Sequence, residues 1–195
     1  MTRRQSDRDS LTPRRRSLHA YHRCPVAPSA PPPDVRVEPM ARSDWPAVAR
    51  IFGQGIATDL ATFETVIPSW EDWDRDHLPA PRLVARADGE VIGWIALAPF
   101  SVREIYRGVA ELSVYVDEGH RGRGVGRALL TALIEASEDA GIWTLQAGML
   151  PENKASVGLH RSCGFREVGI HERLGRMGDR WRDVLLLERR SQRIG

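Results

Sequence analysis

The sequence predicts one domain of the α/β (α+β) class built on a mixed β-sheet, and three observations carry that expectation. Strand-like and helix-like apolar patterns follow one another without strict alternation, so a regular βαβ repeat is excluded. Asp88-Gly89 stands between two apolar runs, which predicts a hairpin and hence an antiparallel strand pair. A glycine-rich turn, residues 120–127, joins an apolar strand to the strongest amphipathic helix pattern in the chain.

Taken in order, the first element is a short alternating strand over residues 35–38. Ser43 and Asp44 then give a helix N-cap signal with Pro46 in the first turn, predicting a helix over 45–57. Pro68, Ser69, Trp70 and Glu71 open a second helix that runs to about His77. Strands over 82–86 and 91–97 flank the hairpin turn, and a third covers 110–116. The helix over 124–140 carries Val125, Ala128, Leu129, Ala132, Leu133 and Ala136 at the spacing of a buried stripe. A strand over 143–148, a helix over 152–162 and strands over 165–169 and 181–187 complete the series. No internal repeat is evident.

The chain has 195 residues, 42% apolar and 28% charged, enough to bury one sizeable core. No run approaches the roughly 18 consecutive apolar residues of a membrane helix, and two cysteines cannot make a disulfide scaffold. The formal charge of +2 is unevenly spread. Residues 1–33 hold seven arginines against Asp7 and Asp9, whereas the remainder is mildly acidic, so overall basicity does not imply a nucleic-acid surface. That segment also holds six of the thirteen prolines and no apolar periodicity, and it reads as a disordered Arg/Pro-rich tail, either a solvated leader or a consequence of a mis-assigned start. The apolar stretch of an export signal is missing after Arg14, Arg15 and Arg16, so the expected location is cytoplasmic. The expected organisation is therefore a tail over 1–33, one domain over 34–190 and a short C-terminal tail over 191–195.

The turn His120-Arg121-Gly122-Arg123-Gly124-Val125-Gly126-Arg127 carries the chemistry. A helix N-terminus offers unpaired N–H groups and positive partial charge, and glycines let the backbone close around an anion, so this turn suits a pyrophosphate. No G-x-x-x-x-G-K-[ST] is present, and G-x-G-x-x-G fails because Arg127 occupies the third glycine position. What remains is Arg121-x-x-Gly124-x-Gly126 after an apolar strand.

That pattern resembles the coenzyme A loop of the GCN5-related N-acetyltransferase (GNAT) superfamily. The resemblance extends over residues 34–190 through Thr62-Phe63-Glu64-Thr65, Tyr106, Glu111-x-Ser113-Val114-Tyr115-Val116, Asn153-x-x-Ser156, Leu159-His160, Gly164-Phe165 and Trp181-x-Asp183-Val184. In that order these segments are similar to the phosphinothricin and methionine sulfoximine acetyltransferase branch. The resemblance implies a GNAT fold, with a mixed central sheet flanked by helices on both faces. It also implies acetyl-CoA as co-substrate, a primary amine on a small amino-acid-like acceptor, a homodimer, and no metal, nucleic-acid or membrane partner.

Acetyl transfer needs a neutral amine, a place for charge on the carbonyl oxygen and protonation or stabilisation of the departing thiolate. By resemblance, Glu111 is the general base. Ser113, Val114, Tyr115 and Val116 form a strand splayed from its neighbour, and Arg121, Gly122, Arg123, Gly124, Val125, Gly126 and Arg127 bind the pyrophosphate. Asn153 and Ser156 contact the pantetheine region, although asparagine is equally a favoured helix start. His160 stands where many of these enzymes have a thiolate-protonating tyrosine; its ordinary pKa near 6.5 permits either protonation state. Phe63 and Tyr106 match aromatic positions of the acceptor pocket, and Arg103 suits a substrate carboxylate. The segment 176–181 departs from the branch pattern by an apparent extra residue, which puts phosphinothricin itself in doubt. Other acceptors (a polyamine, an antibiotic, a peptide N-terminus) and a non-catalytic acetyl-CoA-binding role are the alternatives. His19, His22 and Cys24 lack a second ligand pair for zinc, no hydrolase or zincin motif occurs, and Cys163 reads as a buried small residue.

Overall fold

A computed structural model describes residues 34–194. The tail expected over 1–33, with His19, His22 and Cys24, lies outside the described residues. The elements are β1 (Arg36–Pro39), α1 (Trp45–Ile56), α2 (Trp70–Asp76), β2 (Arg82–Ala87), β3 (Glu90–Pro99), β4 (Val109–Val116), α3 (Val125–Asp139), β5 (Thr144–Met149), α4 (Lys154–Ser162), β6 (Arg166–Met177) and β7 (Arg180–Arg190). They form a seven-stranded sheet in the order β1-β2-β3-β4-β5-β7-β6, antiparallel except where β4 meets β5.

Local chemistry accounts for most element ends. Asp88 and Gly89 both take positive φ, as a two-residue hairpin between β2 and β3 requires. Ser69 caps α2, its side chain accepting from the Asp72 amide at 3.1 Å. Asp44 behaves differently from the expected N-cap. Its buried carboxylate accepts from Ala41 N–H at 2.9 Å and pairs with the partly exposed Arg86, so an ion pair replaces the helix cap.

One extra residue, Ile92, enters β3 where the β2 register shifts between Ala85 and Arg86. This resets the side-chain alternation and sends Trp94 and Ala96 to one face, Ile95 and Leu97 to the other. On the first face α1 and α2 contribute Val48, Ile51, Phe52 and Trp73. On the second, α3 contributes Val125, Leu129 and Leu133 and α4 contributes Val157. Helices thus cover both faces of the mixed sheet.

The last two strands are the main departure from expectation: β6 and β7 span 12 and 11 residues and form one long hairpin. Their outer halves were unreadable because both faces of β6 stay exposed, which removes the alternation that identifies a half-buried strand. The unusual segment 176–181 is the hairpin tip, with Met177 paired to Arg180. The expected C-terminal tail is anchored at its start, since Ser191 N–H donates to the Trp143 carbonyl and its hydroxyl accepts from the amides of Arg193 and Ile194.

Candidate active site

The site begins with a partial strand pairing. β4 pairs with β3 along its length, but with β5 only from Val109–Glu111 to Thr144–Gln146, after which the two strands part. The resulting groove, about 620 Å³, is lined by Ser113, Val114, Tyr115 and Val116 on one side and by Ala147, Gly148, Met149 and α4 on the other. Its end is closed by His120, Arg121, Gly122, Gly124, Val125, Gly126 and Arg127. Arg123 belongs to the same turn but not to the lining.

The turn leaves the start of α3 free for an anion. Gly124, at φ 84°, is the N-cap and supplies no side-chain acceptor, unlike Ser69 of α2 and Asn153 of α4. The first amides of a 15-residue helix therefore face the groove without a side-chain cap. At Gly126 a Cβ would lie 3.0 Å from Leu159, so glycine also sets how closely α3 and α4 approach. Arg121 folds back, donating from Nε to the Val116 carbonyl at 3.2 Å.

Asp117, which belongs to no motif, fixes the chain just before this turn. Its carboxylate accepts from Arg50 at 2.5 Å, from Gln54 at 3.1 Å and from Gly119 N–H at 3.0 Å, and it lies 3.1 Å from His120 Nδ1. Arg50 first, then His120, Gln54 and the Gly119 amide, hold its pKa well below the usual carboxylate range. The staple is therefore charged, and intact, throughout the neutral range. Asp117→Ala is expected to raise the KM for acetyl-CoA about tenfold, equivalent to about 1.4 kcal/mol, while leaving kcat within about twofold. Initial-rate kinetics check this, and an unchanged KM would show that the turn holds its shape unaided.

A second chamber of about 210 Å³ adjoins the groove and shares Ala61, Gly148 and Met149 with it. Thr62, Phe63, Glu111, Leu150, Leu174 and Val184 complete its lining, and Glu111 is its one ionisable side chain. A Cβ on Gly148 would lie 3.6 Å from Glu111 Oε1 and 3.2 Å from Val184, so the missing side chain keeps the way to the carboxylate open. Glu111 retains a solvent-facing side, yet desolvation by the surrounding protein pushes its pKa up. That suits proton abstraction near neutral pH.

Tyr115 couples the two cavities. Burial pushes its phenol up to about 12, so it stays protonated and reaches the Ala61 carbonyl at 3.4 Å. Its ring stacks on Trp94 and lies against Gly55, where a Cβ would come within 2.6 Å.

His160 is 2% exposed and lines the groove. Nδ1 lies 2.8 Å from the Ser156 carbonyl, which assigns the proton to Nδ1, while buried Nε2 has no partner among protein groups. Desolvation lowers the ring pKa. The shift favours the neutral ring, in which Nδ1 donates and Nε2 can accept. Asn153 caps α4, accepting from Ser156 N–H at 3.1 Å, and its Nδ2 donates to the Leu60 carbonyl at 3.3 Å. It and Ser156 line the groove as well.

Two expected acceptor-pocket residues stand elsewhere. Arg103 and Tyr106 belong to the connection before β4, where the guanidinium lies 5.5 Å from the Tyr106 ring and that ring meets Phe100. Neither lines the chamber, because the connection leaves the sheet before β4 begins. Leu174 and Gly148 also line it and Val184 does so from the Trp181-x-Asp183-Val184 segment; apolar and glycine residues on strands carry no chemical signature of such a role. Among the described residues, no cluster of His, Cys, Asp or Glu is arranged to hold a metal, and no helix is long and apolar enough to cross a membrane.

A parted sheet with an uncapped helix start at one end and a carboxylate-bearing chamber at the other has the layout that transfer from a phosphate-bearing carrier to a small acceptor requires. The chain belongs to the Acetyltransferase (GNAT) family, whose model matches residues 56–165, and is an N-acetyltransferase. It is 35% identical over 155 residues to the phosphinothricin N-acetyltransferase of Alcaligenes faecalis, covering 75% of this chain and 77% of that protein. It is 34% identical over 153 residues to the L-methionine sulfoximine/L-methionine sulfone acetyltransferase of Pseudomonas aeruginosa, covering 75% and 88%. The crystal structure of a GNAT superfamily phosphinothricin acetyltransferase from Sinorhizobium meliloti in complex with AcCoA matches with a TM-score of 0.73 at 26% identity, covering 80% of this chain and 88% of that one.

Proposed function

We propose that this chain transfers the acetyl group of acetyl-CoA to the primary amine of a small amino-acid-like acceptor of the phosphinothricin or methionine sulfoximine type. The observation that carries the reading is the placement of Glu111, the single ionisable group of a small chamber that opens onto the phosphate-ended groove. The groove fits the co-substrate: α3 presents uncapped amides for a pyrophosphate, and buried Nε2 of His160 is an acceptor waiting for a donor. Acetyl-CoA, when bound, supplies the acyl group as an activated thioester.

The chain's own residues do the rest. Amides of residues 122–127 and the side chains of Arg121 and Arg127 hold the pyrophosphate, and the free edge of β4 over Ser113–Val116 aligns the pantetheine arm. Glu111 takes the proton of the acceptor ammonium, directly or through a water, so that the amine attacks as the neutral species. Asn153 and Ser156 shape the arm's passage, and Phe63 bounds the acceptor. His160 Nε2 accepts a hydrogen bond from the arm, and as the tetrahedral adduct collapses the C–S bond breaks and the thiolate takes the second proton shed by the attacking nitrogen, leaving the amide and the free CoA thiol.

Thiol release from acetyl-CoA across a panel of amines tests the reading. The panel holds phosphinothricin, methionine sulfoximine, methionine sulfone, common amino acids, spermidine and a peptide with a free N-terminus. Release with the amino-acid analogues is the expected result. Release with only the polyamine or the peptide would overturn the acceptor class and keep the reaction.

The same reading has the enzyme working in the cytoplasm as a homodimer without a metal. Apolar side chains exposed on β6 (Val168, Ile170) and before β4 (Val102, Ile105) support the dimer. Sedimentation should show one species of twice the chain mass; a monomer would remove the dimer alone.

A further inference from the structure

We infer that a bulge in β6 is the filter that sets which acceptor side chains the enzyme admits, an inference that rests on the proposed amino-acid-like acceptor. The β6–β7 ladder pairs His171 with Val184 and next pairs Gly175 with Arg182, so three residues of β6, 172–174, stand opposite Asp183 alone. Arg173 sits at φ 51°, a conformation that disfavours ordinary side chains, and its amide donates to Asp183 Oδ1 at 2.8 Å. The bulge is thus pinned by one carboxylate.

Its consequence falls on the chamber. Leu174, the last bulged residue, lines the acceptor cavity although it is 58% exposed. The next residue, Gly175, has no positive φ, so backbone conformation does not call for glycine there. Space does: a Cβ on Gly175 would stand 2.3 Å from Cε1 and 2.5 Å from Cζ of Phe63. The Phe63 ring therefore rests on bare β6 backbone, and the same short segment positions two of the cavity's apolar walls, Phe63 and Leu174.

A cavity of about 210 Å³ is small beside the groove of about 620 Å³, which favours a short amino-acid side chain over a large ring system. Phe63, Leu174 and Val184 give it apolar walls, so they sort acceptor side chains by size.

The test titrates methionine sulfone and tryptophan into the protein with CoA present, by calorimetry, alongside acetylation kinetics. Leu174→Ala and Gly175→Ala are compared with the wild type. The wild type should favour methionine sulfone over tryptophan by tenfold or more in both Kd and kcat/KM. Leu174→Ala, at an exposed position, should shrink that preference about tenfold. Gly175→Ala should displace Phe63 and weaken methionine sulfone about tenfold, with the KM for acetyl-CoA within about twofold of wild type. Variants that bind and discriminate as the wild type does would overturn the filter and leave the proposed function standing, as would an acetyl-CoA KM that shifts together with the acceptor's. A wild type that binds neither acceptor would overturn both.

Discussion

Glu111→Gln is expected to lower kcat by about 10² to 10⁴ while the KM for acetyl-CoA stays within about twofold, because the substitution removes a proton acceptor and keeps the shape of the side chain. Glu111 lines the acceptor chamber and not the groove, so the two parameters should separate cleanly. The pH profile supplies the sharper check. A general base works deprotonated, so kcat/KM falls as pH drops through its pKa. Burial raises that pKa above the ordinary carboxylate value near 4.3, so the acid limb should lie above the position of a free glutamate and vanish in the variant. His160 should add no inflection near 6.5, because burial moves its pKa down. A variant with wild-type kcat would remove Glu111 from the chemistry.

Trp94→Ala should be the most destabilising single change near the site. Trp94 is 1% exposed and packs on Tyr115 at 4.7 Å, Trp73 at 5.7 Å and Phe52 at 5.9 Å between centroids. Truncating such a ring costs about 3–5 kcal/mol, from lost burial and the cavity left behind, which corresponds to a fall in Tm of roughly 6–20 °C at this chain length. The buried indole N–H has no partner, so its removal offsets part of that cost and Trp94→Phe should recover most of the stability. The loss also reaches function: Tyr115 loses its stacking partner, and with it the fixed contact to Ala61 at the junction of groove and chamber. Thermal denaturation with acetyl-CoA titration reads both. A loss under about 1 kcal/mol would mean that the aromatic cluster collapses to fill the space.

The parts of this protein that sequence revealed share one property, a local physical cause. The hairpin at Asp88-Gly89 needs two residues that tolerate positive φ, and α2 needs the Ser69 hydroxyl beside its first free amides. The 120–127 turn needs glycines where the backbone bends left-handed, and the stripe of α3 needs apolar residues every three or four positions. Each of these is written within one or two turns of chain, so reading it requires no neighbour.

Everything that joins distant segments was decided by tertiary structure. Asp44 has the composition of a cap but pairs with Arg86, 42 residues away, because its buried carboxylate must be paired. Asp117 became the anchor of the phosphate turn through Arg50 and Gln54 of α1, which no spacing announces. Arg103 and Tyr106 matched a motif yet lie outside the chamber, whereas Leu174 and Gly148 line it without any chemical signature. A motif records which groups chemistry requires, and the sequence by itself determined the fold family, the phosphate turn and the candidate base. The dimensions of the acceptor chamber depend on how far one strand bulges against another 10 residues away in the chain, and only the folded sheet sets that distance.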